Sequence, residues 1–353
     1  MFENDIEKLA YASEKKIKVM NRFPLAEHLP RARNLIWVNW SLWSKKKDEG
    51  CLCRLAENFS IISQQGGFMP GSLEDELGDV LEKSRDGKGW TRSDLAHASG
   101  ISVSDVSRME RYEYVPDESV LINLAEVLDL HVPSLIAVAK GTWFPQPIEP
   151  DPGPFNTVCL DLFIGTYPVK CYLVICNATK TSAVIDTGGN PEAIIKKAKE
   201  LNIQPEKILL THAHIDHAGG LGLLDKTYKC PVWIDKKEPR PSGSRDFRFL
   251  EDGEILKLGN LNIEVLFTPG HTPGGVSYKI HDTVFSGDAI FAGSMGRANS
   301  SWPGLYNSIT QRLLTLPDHT RLFPGHGPAT TVGEEKSNNP FFCTGESPVV
   351  TRR

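Results

Sequence analysis

The sequence has no disulfide framework. Its seven cysteines are odd in number, and only Cys51 and Cys53 lie close together, with no second pair to complete a four-cysteine zinc site. Cys159, Cys171, Cys176 and Cys230 lie in or beside apolar runs, where a thiol packs as a small hydrophobe. No stretch reaches the ~20 apolar residues of a membrane-spanning helix. The opening Met1-Phe2-Glu3-Asn4-Asp5 is acidic rather than a basic leader. These absences predict a soluble cytoplasmic protein with free thiols. There is no excess of positive charge either: the net charge is −5, so nothing global draws the chain to nucleic acid or to an anionic membrane.

What is present is apolar residue in quantity, 40% of 353 positions, enough for two or three packed domains. Residues 1–72 form an N-terminal extension of unclear structure. Trp37, Trp40 and Trp43 recur every three residues and could share one helical face, either docked on the body or meeting a partner. Ser63–Gly67 and Pro70-Gly71-Ser72 read as a linker. Residues 73–140 read as a compact helical unit. Leu73, Leu77, Val80 and Leu81 give a first helix over 73–84. Thr91 is placed to cap a second helix, with Asp94 at the capping-box offset. Ser102 caps a third, Pro116-Asp117-Glu118 opens a fourth, and Val132–Val138 is a fifth. Residues 141–154 hold five prolines and predict a stiff linker between two units able to fold independently. Residues 344–353 read as a loose tail.

The densest chemistry lies in Thr211-His212-Ala213-His214-Ile215-Asp216-His217, with four metal-capable side chains in six residues. Lys207–Leu210 just before it reads as a buried strand and Ala218–Leu224 just after it as a helix start. In an extended segment His212 and His214 point the same way. Three further metal-capable residues follow strand-like runs among glycines: His271 in Thr268–Gly275, Asp288 in Phe285–Ala289, and His326 in Phe323–Pro328. Glycine lets a backbone bend tightly and approach an ion. Imidazole and carboxylate together suit zinc, iron or manganese.

The order His-x-His-x-Asp-His, then His, Asp and His, resembles the metallo-β-lactamase superfamily. Gly287-Asp288-Ala289-Ile290-Phe291 with Gly296-Arg297, and Pro324–Thr331 with Glu335-Lys336 and Asn339-Pro340-Phe341, resemble its glyoxalase II-like branch, over about 155–343. The resemblance implies an α/β fold, a four-layer αβ/βα sandwich, behind a smaller all-α domain. It implies two divalent ions, zinc foremost and iron or manganese otherwise. His212, His214 and His271 would hold one and Asp216, His217 and His326 the other, with Asp288 bridging. Asp186 would support the ligands from behind, unless it is an ordinary Asx turn. Asp216 would also orient a water attacking an acyl carbonyl; two ions ~3.5–4 Å apart bring such a water's pKa toward neutrality. A thiolate leaving group needs little acid assistance. The implied substrate is a small-molecule thioester such as an S-acylglutathione. Arg297 and Lys336 would meet a substrate carboxylate, or else form surface ion pairs. The usual Gly-Arg-Thr-Asp of the branch stands here as Gly296-Arg297-Ala298-Asn299, which leaves acyl group and thiol open.

Leu95–Glu110 resembles the lambda-repressor/Cro-like helix-turn-helix, which implies DNA contacts from Ser102, Ser104, Asp105, Ser107 and Arg108 and pairing of two chains through these domains. Against DNA, Glu74–Lys140 carries fourteen acidic and seven basic residues, a net −7, whereas phosphate attraction supplies most nonspecific affinity. Two rival functions remain. One is an iron-dependent persulfide dioxygenase on the same scaffold, using one ion at His212, His271 and Asp288. The other is a helix-turn-helix transcription regulator with the metal domain as its sensor.

Overall fold

The computed structural model describes residues 72–148, 153–165, 167–244 and 246–343. The tryptophan-bearing extension and the tail lie outside them.

The described chain begins with five helices: α1 (Leu77–Gly87), α2 (Arg92–Ser99), α3 (Val103–Glu110), α4 (Glu118–Leu128) and α5 (Val132–Lys140). Local sequence sets their ends. Thr91 and Asp94 form the expected capping box, the Ser102 side chain accepts from Asp105 N, and the Asp117 side chain from Val120 N. Gly100 ends α2 at φ 68°, left-handed backbone that glycine enters without strain. The first helix starts at Leu77, four residues later than its apolar spacing predicts, because Asp79 accepts from Glu76 N and fixes the first turn there.

Two six-stranded sheets follow. The first runs in order β1 (Phe155–Ile164), β2 (Tyr167–Cys176), β3 (Ser182–Ile185), β4 (Pro205–Leu209), β5 (Val232–Ile234) and β6 (Phe247–Phe249). The second contains β7 (Ile255–Leu258), β8 (Leu261–Phe267), β9 (Val276–Ile280), β10 (Thr283–Gly287), β13 (Arg321–Pro324) and β14 (Thr330–Thr331). A short hairpin, β11 (Ile290–Phe291) with β12 (Ser294–Met295), lies between β10 and β13 in the chain.

Alternation along the strands builds the layers. On β2, Tyr172, Val174 and Cys176 face the second sheet, where Val265, Tyr278 and Phe285 meet them. Val169, Cys171 and Leu173 face the other way. There they meet Ile194 of α6 (Pro191–Glu200) and Leu221 and Leu224 of α8 (Leu221–Tyr228). The short α7 (Ile215–Ala218) precedes α8. The outer face of the second sheet, with Val284 and Leu322, is covered by α9 (Trp302–Ser308), by the turn after it, and by α10 (Val332–Asn338). This is the αβ/βα sandwich, α/β in class, with an all-α domain in front of it. After α9 the chain continues in a π-wound turn, Ile309–Leu313. Among the described residues no helix is long and apolar enough to cross a membrane.

The front helices are not a separate bead. Leu77, Leu81, Leu95 and Leu135 belong to the same buried cluster as Val284, Ile290, Leu305, Ile309 and Leu322 of the sandwich. Gly87 of α1 lies so close to the Trp302 indole that an added Cβ would come within 2.3 Å of it. His131 N donates to Pro340 O at 2.8 Å, and Gln146 N, in the proline-rich segment, to Glu334 Oε1 at 2.7 Å. The expectation of independent units yields to this shared core, which proline content could not reveal.

Glu335 of α10 is fully buried. It accepts from Gly293 N at 3.0 Å, Thr330 Oγ1 at 2.8 Å and Asn339 Nδ2 at 2.7 Å. Burial outweighs these donors and lifts its pKa from 4.5 to about 7. The folded chain therefore holds this proton to higher pH than the unfolded chain does. Its contribution is full below about 4.5 and is lost as pH rises through about 7. Stability measured by urea denaturation should fall over that interval, and the slope should flatten in Glu335→Gln. An equal slope in both proteins would assign the dependence elsewhere.

Candidate metal centre

Every candidate ligand stands just beyond the C-terminal end of a strand. Asp186 follows β3, His212–His217 follow β4, His271 follows β8, Asp288 follows β10 and His326 follows β13. The loops are stitched together within each sheet, Thr187 N donating to His217 O at 2.6 Å and Gly325 N to Gly287 O at 2.9 Å, and across the two sheets by Val276 N to Thr211 O at 2.9 Å. Two glycines are steric requirements. A Cβ on Gly325 would come within 2.4 Å of Asp288 Oδ1 and 2.5 Å of the His217 ring, and one on Gly287 within 2.6 Å of Thr211.

Three overlapping donor sets converge: His212, His214 and His271; His212, His217 and Asp288; and Asp216, His217 and His326, each with ligating atoms within 4.8 Å of one another. His214 Nδ1 lies 3.0 Å from both His212 Nε2 and His271 Nε2. His217 Nε2 and His326 Nε2 are 3.3 Å apart. Asp288 spans the two groups, with Oδ1 3.3 Å from His217 Nε2 and Oδ2 3.5 Å from His271 Nε2 and from His326 Nε2. Asp216 Oδ2 is 3.3 Å from His326 Nε2.

The outer ring nitrogens test whether a cation fits. His326 Nδ1 donates to Pro168 O at 2.7 Å and His271 Nδ1 to Arg297 O at 2.7 Å. His217 Nδ1 meets Asp186 Oδ2 at 2.8 Å. His212 Nδ1 meets Thr211 Oγ1 at 3.0 Å, whose own hydroxyl donates to Asp186. With the outer nitrogens of His212, His217, His271 and His326 engaged in this way, their inner nitrogens turn into a shared space, where His217 Nε2 and His326 Nε2 face each other at 3.3 Å. Lone pairs at that separation repel unless a cation lies between them. A tetrahedral ion with Zn–N of ~2.0–2.1 Å would set its donors ~3.3 Å apart, so the residues fit the group. Asp288 Oδ1 is buried and has no hydrogen bond, as a carboxylate oxygen free for an ion would be.

The charges agree. Burial opposes ionisation of Asp216, but His217 and His326 bring its pKa down to about 2. Asp288 is likewise held well below the usual carboxylate range by His326 and His217 against the cost of burial. Burial and neighbouring imidazoles keep His212 neutral, and burial lowers His271 to about 4. Against the cost of burial, Asp288 and Asp216 raise the pKa of His217 and lift that of His326 to about 10, so an ion bound here would replace protons held between these imidazoles and carboxylates.

Asp186 lies behind this cluster at φ 57°, a left-handed conformation that aims its carboxylate back at Thr211 N, Thr211 Oγ1 and His217, each at 2.8 Å. Asp186→Asn should lower zinc affinity ~10–100-fold by loosening the His217 ring, measurable by chelator competition. An unchanged affinity would reduce Asp186 to a turn residue.

Sequence reasoning missed Glu238. Its buried carboxylate accepts from Ala213 N at 2.9 Å and Gly274 N at 2.8 Å, bracing two ligand loops at once. Nothing in Lys236-Lys237-Glu238-Pro239-Arg240 marks it, since both donors are distant main-chain groups. The other expected contacts fall differently. Arg297 lies against the cluster through its carbonyl, but its guanidinium is held by Glu82 at 2.6 Å and Asp86 at 3.5 Å. Lys336 pairs with Asp318 at 2.7 Å on α10. On α3, Ser102 donates to Asp105 at 2.8 Å, Ser107 accepts from Arg111 at 2.8 Å, and Ser104 is exposed. Arg108 pairs with Asp105 at 3.2 Å and lies over the Tyr114 ring.

The sequence matches the metallo-beta-lactamase superfamily over residues 164–326 and a helix-turn-helix family over 81–135. It is 34% identical over 202 residues to the hydroxyacylglutathione hydrolase GloC of Haemophilus influenzae, spanning 51% of this chain and 95% of that one. It is 37% identical over 202 residues to the probable metallo-hydrolase YqgX of Bacillus subtilis, spanning 51% of this chain and 94% of that one. Among solved structures, the BLEG-1 B3 metallo-beta-lactamase aligns with a TM-score of 0.50 at 32% identity, covering 54% of this chain and all of that one. The chain belongs to the metallo-β-lactamase superfamily, with a helix-turn-helix domain ahead of its metallo-hydrolase fold.

Proposed function

We propose that this chain hydrolyses acyl thioesters of a small thiol carrier, with S-acylglutathiones as the type substrate. The observation that carries the reading is the convergence of seven side chains into three overlapping donor sets, with Asp288 within 3.5 Å of His217 and His271. A centre holding one ion at His212, His271 and Asp288, as an iron dioxygenase would, leaves His214, Asp216, His217 and His326 converging without a task. The likeness to GloC, named as a hydroxyacylglutathione hydrolase, supports the substrate class. Two divalent ions, zinc foremost, would activate water and polarise the acyl carbonyl. Asp216, held ionised beside His326, is placed to accept a hydrogen bond from that water and orient it. The thiol departs as thiolate without a protein acid. The free cysteines among the described residues accord with a cytoplasmic setting. The test is thiol release from S-lactoylglutathione by metal-loaded full-length protein. A kcat/KM in the enzymatic range of ~10⁴ M⁻¹ s⁻¹ or more supports it; no release above background with metal bound refutes it.

The front domain carries no free positive charge for DNA. All seven of its basic residues pair with its own carboxylates: Lys83 with Asp75, Arg85 and Arg92 with Glu110, Lys88 with Asp129, Arg108 with Asp105, Arg111 with Glu113 and Lys140 with Glu118. Each of these carboxylates offsets the charge a phosphate would meet, which weakens the attraction on which nonspecific DNA affinity rests. Selection on random duplexes at ~0.15 M salt should return no sequence preference, where specific binders discriminate by ~10³ or more. A nanomolar site abolished by Arg108→Ala would reverse this and favour the regulator.

A further inference from the structure

The segment 74–86, which enters and forms α1, reaches the supports of two different metal-centre histidines. At its far end, Glu82 and Asp86 hold the Arg297 guanidinium, and the Arg297 carbonyl takes the proton of His271 Nδ1. Between them Lys83, buried, donates to Met295 O at 2.6 Å, so side chains from one helix hold residues 295 and 297. The backbone between those points has no slack, since a Cβ on Gly296 would come within 1.8 Å of Asp288 O. At its near end, Glu74 accepts from Tyr167 Oη at 3.3 Å. The Tyr167 ring packs 4.9 Å from the His326 ring, and the next carbonyl, Pro168 O, takes the proton of His326 Nδ1. The Glu74 backbone also lies against Gly327, where a Cβ would come within 2.8 Å of Glu74 Cβ.

We propose that this first stretch of the helix-turn-helix domain is a positioning element of the metal centre, anchoring His271 through Arg297 and His326 through Tyr167 and Pro168. The domain then serves the metal centre as a supporting wall, whatever else its α3 surface meets. Its helix is itself braced from inside the domain: Arg85 pairs with Glu110 of α3 at 2.8 Å, and Gly78 abuts Met109 O. A histidine whose outer nitrogen is held in place binds its ion more tightly, because less ring freedom is lost on binding. The inference rests on the two-ion reading of the centre and on no particular substrate.

The test is a zinc titration of the full-length chain against a chelator, resolving two binding steps, with cobalt(II) spectra to distinguish the two sites. Glu82→Gln/Asp86→Asn should weaken the site containing His271 by roughly tenfold and leave the other within about twofold. Tyr167→Phe keeps the ring and removes the bond to Glu74; it should weaken the site containing His326 instead. Arg297→Ala should match the Glu82/Asp86 variant, and combining them should add nothing, because they lie on one path. Arg297→Lys, which keeps one ion pair, should recover part of the loss. A role confined to fold stability would lower Tm equally with and without zinc and leave both affinities unchanged. That result, or equal weakening of both sites by each variant, would overturn the proposal. Failure of the wild-type chain to bind a second ion would instead remove the two-ion reading beneath it.

Discussion

Asp288→Ala is expected to leave the fold in place and reduce thioester hydrolysis by ~10³-fold or more, about 4 kcal/mol of transition-state stabilisation. Among the described residues Asp288 supplies the only carboxylate whose oxygens face His217 on one side and His271 and His326 on the other. Removing it takes a donor from both ions and a negative charge from a site lined by imidazoles. The backbone does not depend on the side chain, since Ala289 N bonds to Ser286 O and Gly296 N to Ala289 O. Circular dichroism should therefore match wild type, while elemental analysis should show less than two ions per chain. Asp288→Asn, which keeps the shape and loses the charge, should fall between. Full activity in Asp288→Ala would mean that the second ion, or the bridge, takes no part in the reaction.

The second large effect is expected from shortening the chain. A protein beginning at Gly141 keeps all seven donors, yet it loses the helices that share a buried cluster with Val284, Ile290, Leu305, Ile309 and Leu322. It also strips Trp302 of its packing against Gly87 and leaves Arg297 without Glu82 and Asp86. Re-exposing even three or four large apolar side chains costs on the order of 5–10 kcal/mol at ~1.5–3 kcal/mol each. That is comparable to the whole stability of a domain. The shortened protein should be insoluble, or should melt at least ~10 °C below the full chain. A soluble fragment with the full chain's Tm and zinc affinity would restore the two units to independence.

What could be read from the sequence and what could not divide along physical lines. The candidate ligands stood out because they follow short apolar runs near glycines, and strand ends are where a sandwich exposes its loops. His212, His214, Asp216 and His217 were legible from spacing alone; the grouping of all seven came by resemblance. The capping box at Thr91 and the cap at Ser102 were legible because a cap is a bond between neighbours in sequence. Glu238 was not, because it joins Ala213 to Gly274, and those three meet only when both sheets are in place. Nor was the hold of Glu82 on Arg297, 215 residues away. The proline-rich segment suggested separation because composition records stiffness; it does not record which apolar faces remain uncovered. Leu77 and Leu81 read equally well as the core of a free bundle or as part of a joint core.

Whether seven side chains hold two divalent ions that hydrolyse a thioester is a question of metal content and thiol release together. Its most direct test is elemental analysis of the fully loaded wild-type chain, with thiol release from S-lactoylglutathione measured on the same sample. Two ions per chain are expected, zinc foremost, with thiol release that a chelator abolishes and added metal restores. A single iron per chain, with oxygen consumed on a persulfide substrate and no thiol released from the thioester, would contradict it.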